Sequence, residues 1–509
     1  MYNIINKMNG VFMNKIKSVL PVFISFFVIF SLIFSGCSQK KDGGLRYGFT
    51  TEPTTLDPLN TANTADGRSI LFNVFEGLVK PDTSGAMLPC LAVSWNIEQY
   101  GLIYVFTLRD DVYFHDGSAL TAQDVKFSLD TAIAAGFSGL NNVEEVIIQN
   151  EIQIRIILKS VDPDFLPYLT VGIIKANNTD REKNIIGSGP FFIESYTPQR
   201  NLVLSKFNNY WQSDLPRLKT VTITFFANFD SLLTALQGGS IDGAFITGSM
   251  AAQLDHRLFD IIHNSSAGVQ LLALNNKNAP FDDIRVRRAF NYGIDIQNII
   301  DSAFFGHGKP SGSPIIPGLS LYYEDSLSYN YDPETARNLL EQAGFNNANP
   351  LSFEITVPSN FTMHIDTAQV IAEQLEKIGV NASIKLVDWP TWLSVVYNSR
   401  NYQATVITLD SSSVSPKGFL SRYRSDSSGN FINFNNADFD KVYNAAVNEI
   451  DKTFRVNYYK EAQKIVTENA ASVYIQDILY FIAFRGKTFS GALDYPLYVI
   501  DFASIYRID

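Results

Sequence analysis

The chain has 509 residues, 46% of them apolar and 13% aromatic, with a formal charge of −11. So acidic a surface repels polyanions, which argues against nucleic acid as a partner. The length exceeds what one hydrophobic core organises, so two or three lobes are expected. The first 36 residues hold Lys7, Lys15 and Lys17, no acidic residue, and a nearly unbroken apolar run over 19–34 that ends in Ser35-Gly36-Cys37. This is the layout of an export signal, and losing its three lysines takes the charge from −11 to −14. Residues 37–44 are polar and read as a tether. Two alternatives stay open: an uncleaved membrane anchor, since the run is nearly long enough to span, and a start at Met13. No later apolar run approaches 20 residues, so a soluble body is expected from 45 onward.

Taken in order, residues 45–49 read as a strand and 69–78 as a helix with Ile70, Leu71, Val74 and Leu78 on one side. Residues 104–108 alternate as a strand, 112–114 resume as a second short one, and His115-Asp116-Gly117-Ser118 is a turn. Thr121 with Asp124 forms a capping box ahead of the stripe Val125, Leu129 and Ala132. Residues 142–158 alternate like a hairpin, and 221–242 run strand, helix, turn. Asp283 would cap a helix carrying Val286, Ala289 and Phe290. A second lobe follows: helix 332–345, strand 351–357, amphipathic helix 366–378, strand 384–387 and then Asp388-Trp389-Pro390-Thr391-Trp392. Helices are expected over 441–446 and 455–470, and an apolar strand over 474–484 returns to the first lobe. Strands alternating with helices across short loops indicate an α/β fold.

Catalytic and metal patterns are missing from the sequence. There is no G-x-S-x-G elbow, and the five histidines at 115, 256, 263, 307 and 364 include no close ligand pair. Gly486-Lys487-Thr488 ends like a phosphate-binding loop, but Phe481 occupies the place of its first glycine. The glycine pair of 186–192 has Phe192 where a third glycine belongs. No enzyme, metal or cofactor is expected.

Residues 114–128, "FHDG-x-x-LTA-x-DV-x-FS", resemble the signature of family 5 extracytoplasmic solute-binding proteins, the peptide- and nickel-type receptors of ABC importers. The resemblance extends through "P-x-x-LDP" at 53–58, "FEGL" at 75–78, LPCLAVSW at 88–95, "IG-x-GP" at 186–190 and "AL-x-x-G-x-ID" at 235–242. Residues 276–295 are similar to "N-x-x-x-PF-x-D-x-RVR-x-A-x-x-x-AID", with Gly293 for Ala, and 332–345 to "DP-x-x-A-x-x-LL-x-x-AGF". It implies an α/β, two-lobed fold like the periplasmic binding proteins (type II, cluster C), with an additional small domain in the first lobe. The expected division is signal peptide 1–36, tether 37–44, first lobe 45–80, its extra domain 81–186, first lobe 187–270, second lobe 271–484, and a return 485–509. The Phe-Ser-Gly-Cys ending looks like a lipobox, which implies lipidation at Cys37 and leaves Cys90 without a disulfide partner.

By resemblance the protein is a monomeric, lipid-anchored, extracytoplasmic receptor at the cell membrane. It would clamp a small solute between its lobes and pass it to the permease subunits of an ABC transporter. An oligopeptide is the first expectation. Peptide receptors read "W-x-x-DY-x-DP-x-x-FL" where this chain has Leu409 for Trp, Ser412 for the ammonium-binding Asp and Ser415 for the second. Either Asp410 supplies the counter-charge in a shifted register, or the solute lacks a free amine, as an oligosaccharide, opine or metallophore would. A ligand-presenting sensor subunit is the alternative role. The ligand-binding candidates are Phe75, Trp389, Trp392, Arg400, Asp410 and Ser412, although an exposed surface residue is the better reading of Arg400.

Overall fold

A computed structural model describes residues 44–60, 63–137, 139–178, 180–410 and 415–508. The expectations placed on residues 1–43, Cys37 among them, and on Ser412 lie outside the described residues. No helix among the described residues is long and apolar enough to cross a membrane.

The strands in chain order are β1 (Leu45–Phe49), β2 (Val79–Pro81), β3 (Met87–Pro89), β4 (Ala92–Glu98), β5 (Ile103–Leu108), β6 (Val143–Asn150) and β7 (Gln153–Leu158). They continue as β8 (Phe191–Thr197), β9 (Asn201–Lys206), β10 (Thr220–Phe225), β11 (Gly243–Thr247), β12 (Phe259–Leu274) and β13 (Gly308–Pro310). The last four long ones are β14 (Leu351–Pro358), β15 (Val380–Val387), β16 (Ala404–Asp410) and β17 (Ser472–Arg485). Eleven of these form one sheet in the order β15-β14-β16-β12-β17-β11-β1-β10-β9-β8, with β13 paired to β17.

Each end of the sheet has a parallel nucleus: β11, β1 and β10 in the first lobe, and β15, β14 and β16 in the second. The antiparallel pair β12 and β17 joins them, so an α/β fold of two lobes shares a single sheet. Alternation explains how two strands serve both lobes. In β17, Val473 and Ile475 enter one second-lobe core and Tyr474 the other. Farther along, Phe481 and Ala483 enter one first-lobe core, and Ile482 and Phe484 the other. β12 divides Leu271 and Ala273 from Leu272 and Leu274 in the same way.

Between these apolar stretches the crossing pair turns polar. Gln270, Gln476 and Asp477 are buried there, and the ladder shifts register between Ser265 and Val269 and again between Gln270 and Leu271. Gln476 Nε2 donates to Gln270 Oε1 at 2.8 Å, and Gln270 Nε2 lies 3.0 Å from Thr367 Oγ1 and 3.1 Å from His364 Nδ1. β17 already pairs with β11 at Tyr480, so the crossing falls within the strand rather than at its end.

A separate sheet, β4-β5-β7-β6, lies within the segment expected to be the extra domain. Helix Ala122–Ala134 covers it, burying Val125, Leu129 and Ala132 with Ile154 and Ile156. Its capping box is complete: Asp124 accepts from Thr121 N at 2.8 Å. The 142–158 hairpin forms as β6 and β7. Two local expectations change. The helix read at 69–78 is Ala65–Leu71, because Thr64 caps it by accepting from Gly67 N at 2.9 Å. Residues 112–114 make only an isolated bridge, Tyr113 to Ala119, across the Asp116-Gly117 turn.

Candidate functional site

In open α/β sheets, ligands sit beyond the carboxyl ends of the parallel strands. Here those ends converge from both lobes on the middle of the crossing pair. β11 ends at Thr247 opposite Tyr480 of β17, and β16 ends at Asp410 opposite Gly268 of β12. β1 ends in the same zone, leading into Thr51.

The first-lobe wall is built on Asp66, in the first turn of the Thr64-capped helix. Its carboxylate accepts from Thr51 N at 2.9 Å, from Thr51 Oγ1 at 2.6 Å and from Tyr498 OH at 2.8 Å. Burial pushes the Asp66 carboxyl up, and these donors pull it partly back. Tyr498 stacks on Phe245 with centroids 4.8 Å apart and meets Tyr480 edge-on at 5.3 Å. The result is an aromatic wall with one fixed carboxylate.

In the second lobe, β15 runs out at Val387 and Asp388 caps the helix Trp389–Trp392 by accepting from Thr391 N at 2.8 Å. The rings of Trp389 and Trp392 lie parallel, 5.1 Å apart at 3°. Trp392 is 2% exposed and donates from Nε1 to Thr405 Oγ1 at 3.0 Å. Trp389 remains 36% exposed, with Phe361 against its edge at 5.5 Å. The buried indole anchors the open one as a platform. The Asp410 side chain is 74% exposed, and its ion partner, Arg422, is 3.9 Å away.

The structure therefore brings Trp389, Trp392 and Asp410 to the carboxyl ends of β15 and β16, the two second-lobe strands that flank β14. It does not bring Phe75 or Arg400 there. Phe75 is buried in the main first-lobe core, because Gly172 and Gly187 admit the chain against its ring. Arg400 precedes β16, at the end opposite Asp410, and its guanidinium holds a loop by donating to Asn433 Oδ1 at 3.2 Å and Ser428 O at 3.1 Å. Ser415 is buried, its hydroxyl accepting from Lys417 N at 3.2 Å as the cap of helix Pro416–Leu420. Asp66, Tyr480 and Tyr498 were absent from the sequence candidates, since only folding brings residues 66 and 498 within bonding distance. Among the described residues no cluster of His, Cys, Asp or Glu has the arrangement of a metal site.

Comparison with known proteins gives a consistent picture. Residues 86–431 match the family of bacterial extracellular solute-binding proteins, family 5 Middle. Heme-binding protein A of Haemophilus influenzae is 27% identical over 426 residues, 75% of this chain and 77% of the relative. The glutathione-binding protein GsiB of Salmonella paratyphi A is 26% identical over 439 residues, covering 81% and 85%. The oligopeptide-binding protein OppA of Bacillus subtilis is 24% identical over 501 residues, covering 87% and 91%. The fold matches the crystal structure of the ABC transporter substrate-binding protein CtaP from Listeria monocytogenes, with a TM-score of 0.82, 23% identity and coverage of 92% and 100%. These relatives are receptors and not enzymes. The chain belongs to family 5 of the bacterial extracellular solute-binding proteins, the solute receptors of ABC importers.

Proposed function

We propose that the solute is an oligopeptide, held by closure of the two lobes and delivered to an ABC permease. One observation carries this reading: Asp410, an open carboxylate at the end of β16, beside the crossing strands. A peptide ammonium enclosed between lobes needs a counter-charge, since an unpaired buried charge is costly. The relatives named for glutathione and for oligopeptides give the same direction. Trp389 supplies a flat apolar face for a peptide side chain, and Ser412 is proposed as a neighbouring contact. Asp410→Asn should weaken binding of tripeptides with a free amino terminus by about thirtyfold, about 2 kcal/mol. The same peptides acetylated at that end should bind both proteins alike. Equal affinities of wild type and variant for the free peptides, measured calorimetrically, would remove Asp410 from this role.

A second reading, a non-peptide solute, is favoured by Ser415, which spends its hydroxyl on a helix cap where peptide receptors place an acid. Mass spectrometry of what co-purifies separates the two. Anchoring by a lipid on Cys37 is proposed from Ser35-Gly36-Cys37 after the apolar run, and Cys37→Ala should release the protein from membranes. Of the segment division 45–80, 81–186, 187–270, 271–484 and 485–509, the boundary at 270/271 is supported by the second-lobe cores that Leu271 to Leu274 enter, whereas β17 has passed to first-lobe cores by Phe481, ahead of 484.

A further inference from the structure

The small-sheet segment of the first lobe touches the second lobe through charge. The loop after β7 carries Asp162-Pro163-Asp164, and both carboxylates are buried, at 2% and 6% exposure. Tyr104 OH donates to Asp162 O at 2.6 Å, and Asp164 N donates to Asp162 Oδ1 at 3.2 Å, so the loop is fixed to its own lobe. The groups that neutralise it come from the other lobe. Lys417 Nζ lies 2.6 Å from Asp162 Oδ2. Arg455 Nε stands 3.3 Å from Asp164 Oδ1, an ion pair without hydrogen-bond geometry, and Tyr459 OH donates to Asp164. Lys417 belongs to helix Pro416–Leu420, whose Phe419 and Leu420 enter the same second-lobe core as Tyr459. Both sides are thus rigid.

These contacts need nothing but the chain itself. Moving the lobes apart would return two carboxylates and two cations to water. Bringing them together in the wrong register would bury carboxylates without partners, which is strongly unfavourable. Ion pairs of this kind add little net stability but discriminate sharply between alignments, because each removed partner leaves a buried charge behind. A shut arrangement in this register is therefore available without a solute to bridge the lobes, and misaligned closure is penalised.

We propose that Asp162 and Asp164 are positioning residues that clasp Lys417, Arg455 and Tyr459 of the other lobe and keep a fraction of the receptor shut before any solute binds. The proposal rests on the two-lobed reading but is independent of which solute is captured.

The test uses nitroxide labels at Ile97→Cys on β4 and Phe454→Cys on helix Lys452–Glu468, both exposed positions. The full chain carries Cys37→Ser and Cys90→Ala and is stripped of solute by dialysis from denaturant, with recovery of the fold verified by circular dichroism. Spin-echo distance distributions should show a short-distance population, reduced at least tenfold relative to the long one by Asp162→Lys or Lys417→Asp alone. The combined reversal should restore it. Where a reversal fails to fold, Lys417→Gln replaces it and should deplete the short population in the same direction. A parent with only the long distance, folded single variants matching the parent, or a double reversal no better than its parts would each overturn the clasp. No peptide enters the experiment, so failure of the oligopeptide assignment leaves the result readable.

Discussion

His364 shows how burial alone sets the behaviour of one residue. It is enclosed at the polar crossing, with Nδ1 facing the Gln270 amide nitrogen, and burial lowers its pKa from 6.5 to about 4. A group held neutral in the fold contributes stability above its unfolded pKa, and that contribution drains away as pH falls from 6.5 towards 4. The amount is about 3 kcal/mol. His115 is also lowered to about 4 by burial and acts with the same sign. The raised carboxyls of Asp66, Glu76 and Asp164 act with the opposite sign but are common to wild type and variant. In urea titrations at pH 7 and pH 4, His364→Gln should therefore lose about 3 kcal/mol less stability across that interval than wild type. Parallel losses would exclude His364 as the acid-sensitive group. The sequence shows five scattered histidines, and nothing in their spacing marks 364 as enclosed, because Gln270, which its Nδ1 faces, lies 94 positions away on β12.

At the level of elements, legibility tracked the range of the interactions. Caps and turns depend on three or four adjacent residues, so the Thr121-Asp124 box and the Asp116-Gly117 turn were readable directly. Thr121→Ala should cost about 1 kcal/mol in denaturant unfolding without affecting solute affinity, and no change in the midpoint would show the cap to be redundant. Strand alternation was equally plain in β6 and β7, and β17 showed as an apolar run. The start of the Ala65–Leu71 helix was missed because its apolar stripe begins after its cap, and its end because Asn73 ties the chain to Ser69 O at 3.0 Å and Ile500 O at 2.8 Å. Of the candidate site, Trp389 and Asp410, proposed as solute contacts, stand out from the motifs around them. For Arg400 the sequence decides nothing, since a guanidinium that holds a loop and one that holds a ligand look the same in it. Asp66 and Tyr498 lie 432 positions apart, beyond the reach of any local pattern.

Over the whole molecule, two strands carry the connection between lobes, and their shared centre is polar and irregular in register. Such a joint bends more readily than a packed apolar one, because its ladder is already broken there. Solute binding should reduce the radius of gyration in solution scattering, and an unchanged profile at saturating peptide would contradict capture by closure. The same topology sets an order of assembly. Residues between β12 and β17 form one uninterrupted stretch, so the second lobe holds nearly all its own material before the chain is complete. The first lobe does not: its central slot, between β11 and β12, is filled only by the far half of β17, and Ile500, Phe502 and Ile505 then seal its core. A chain threaded outward from its amino terminus thus waits with two naked strand edges until β17 emerges, a template for unwanted pairing. Truncation after Ala471 should leave a product prone to proteolysis and clumping, making β17 and the residues that seal the core behind it the keystone of this receptor's quality control.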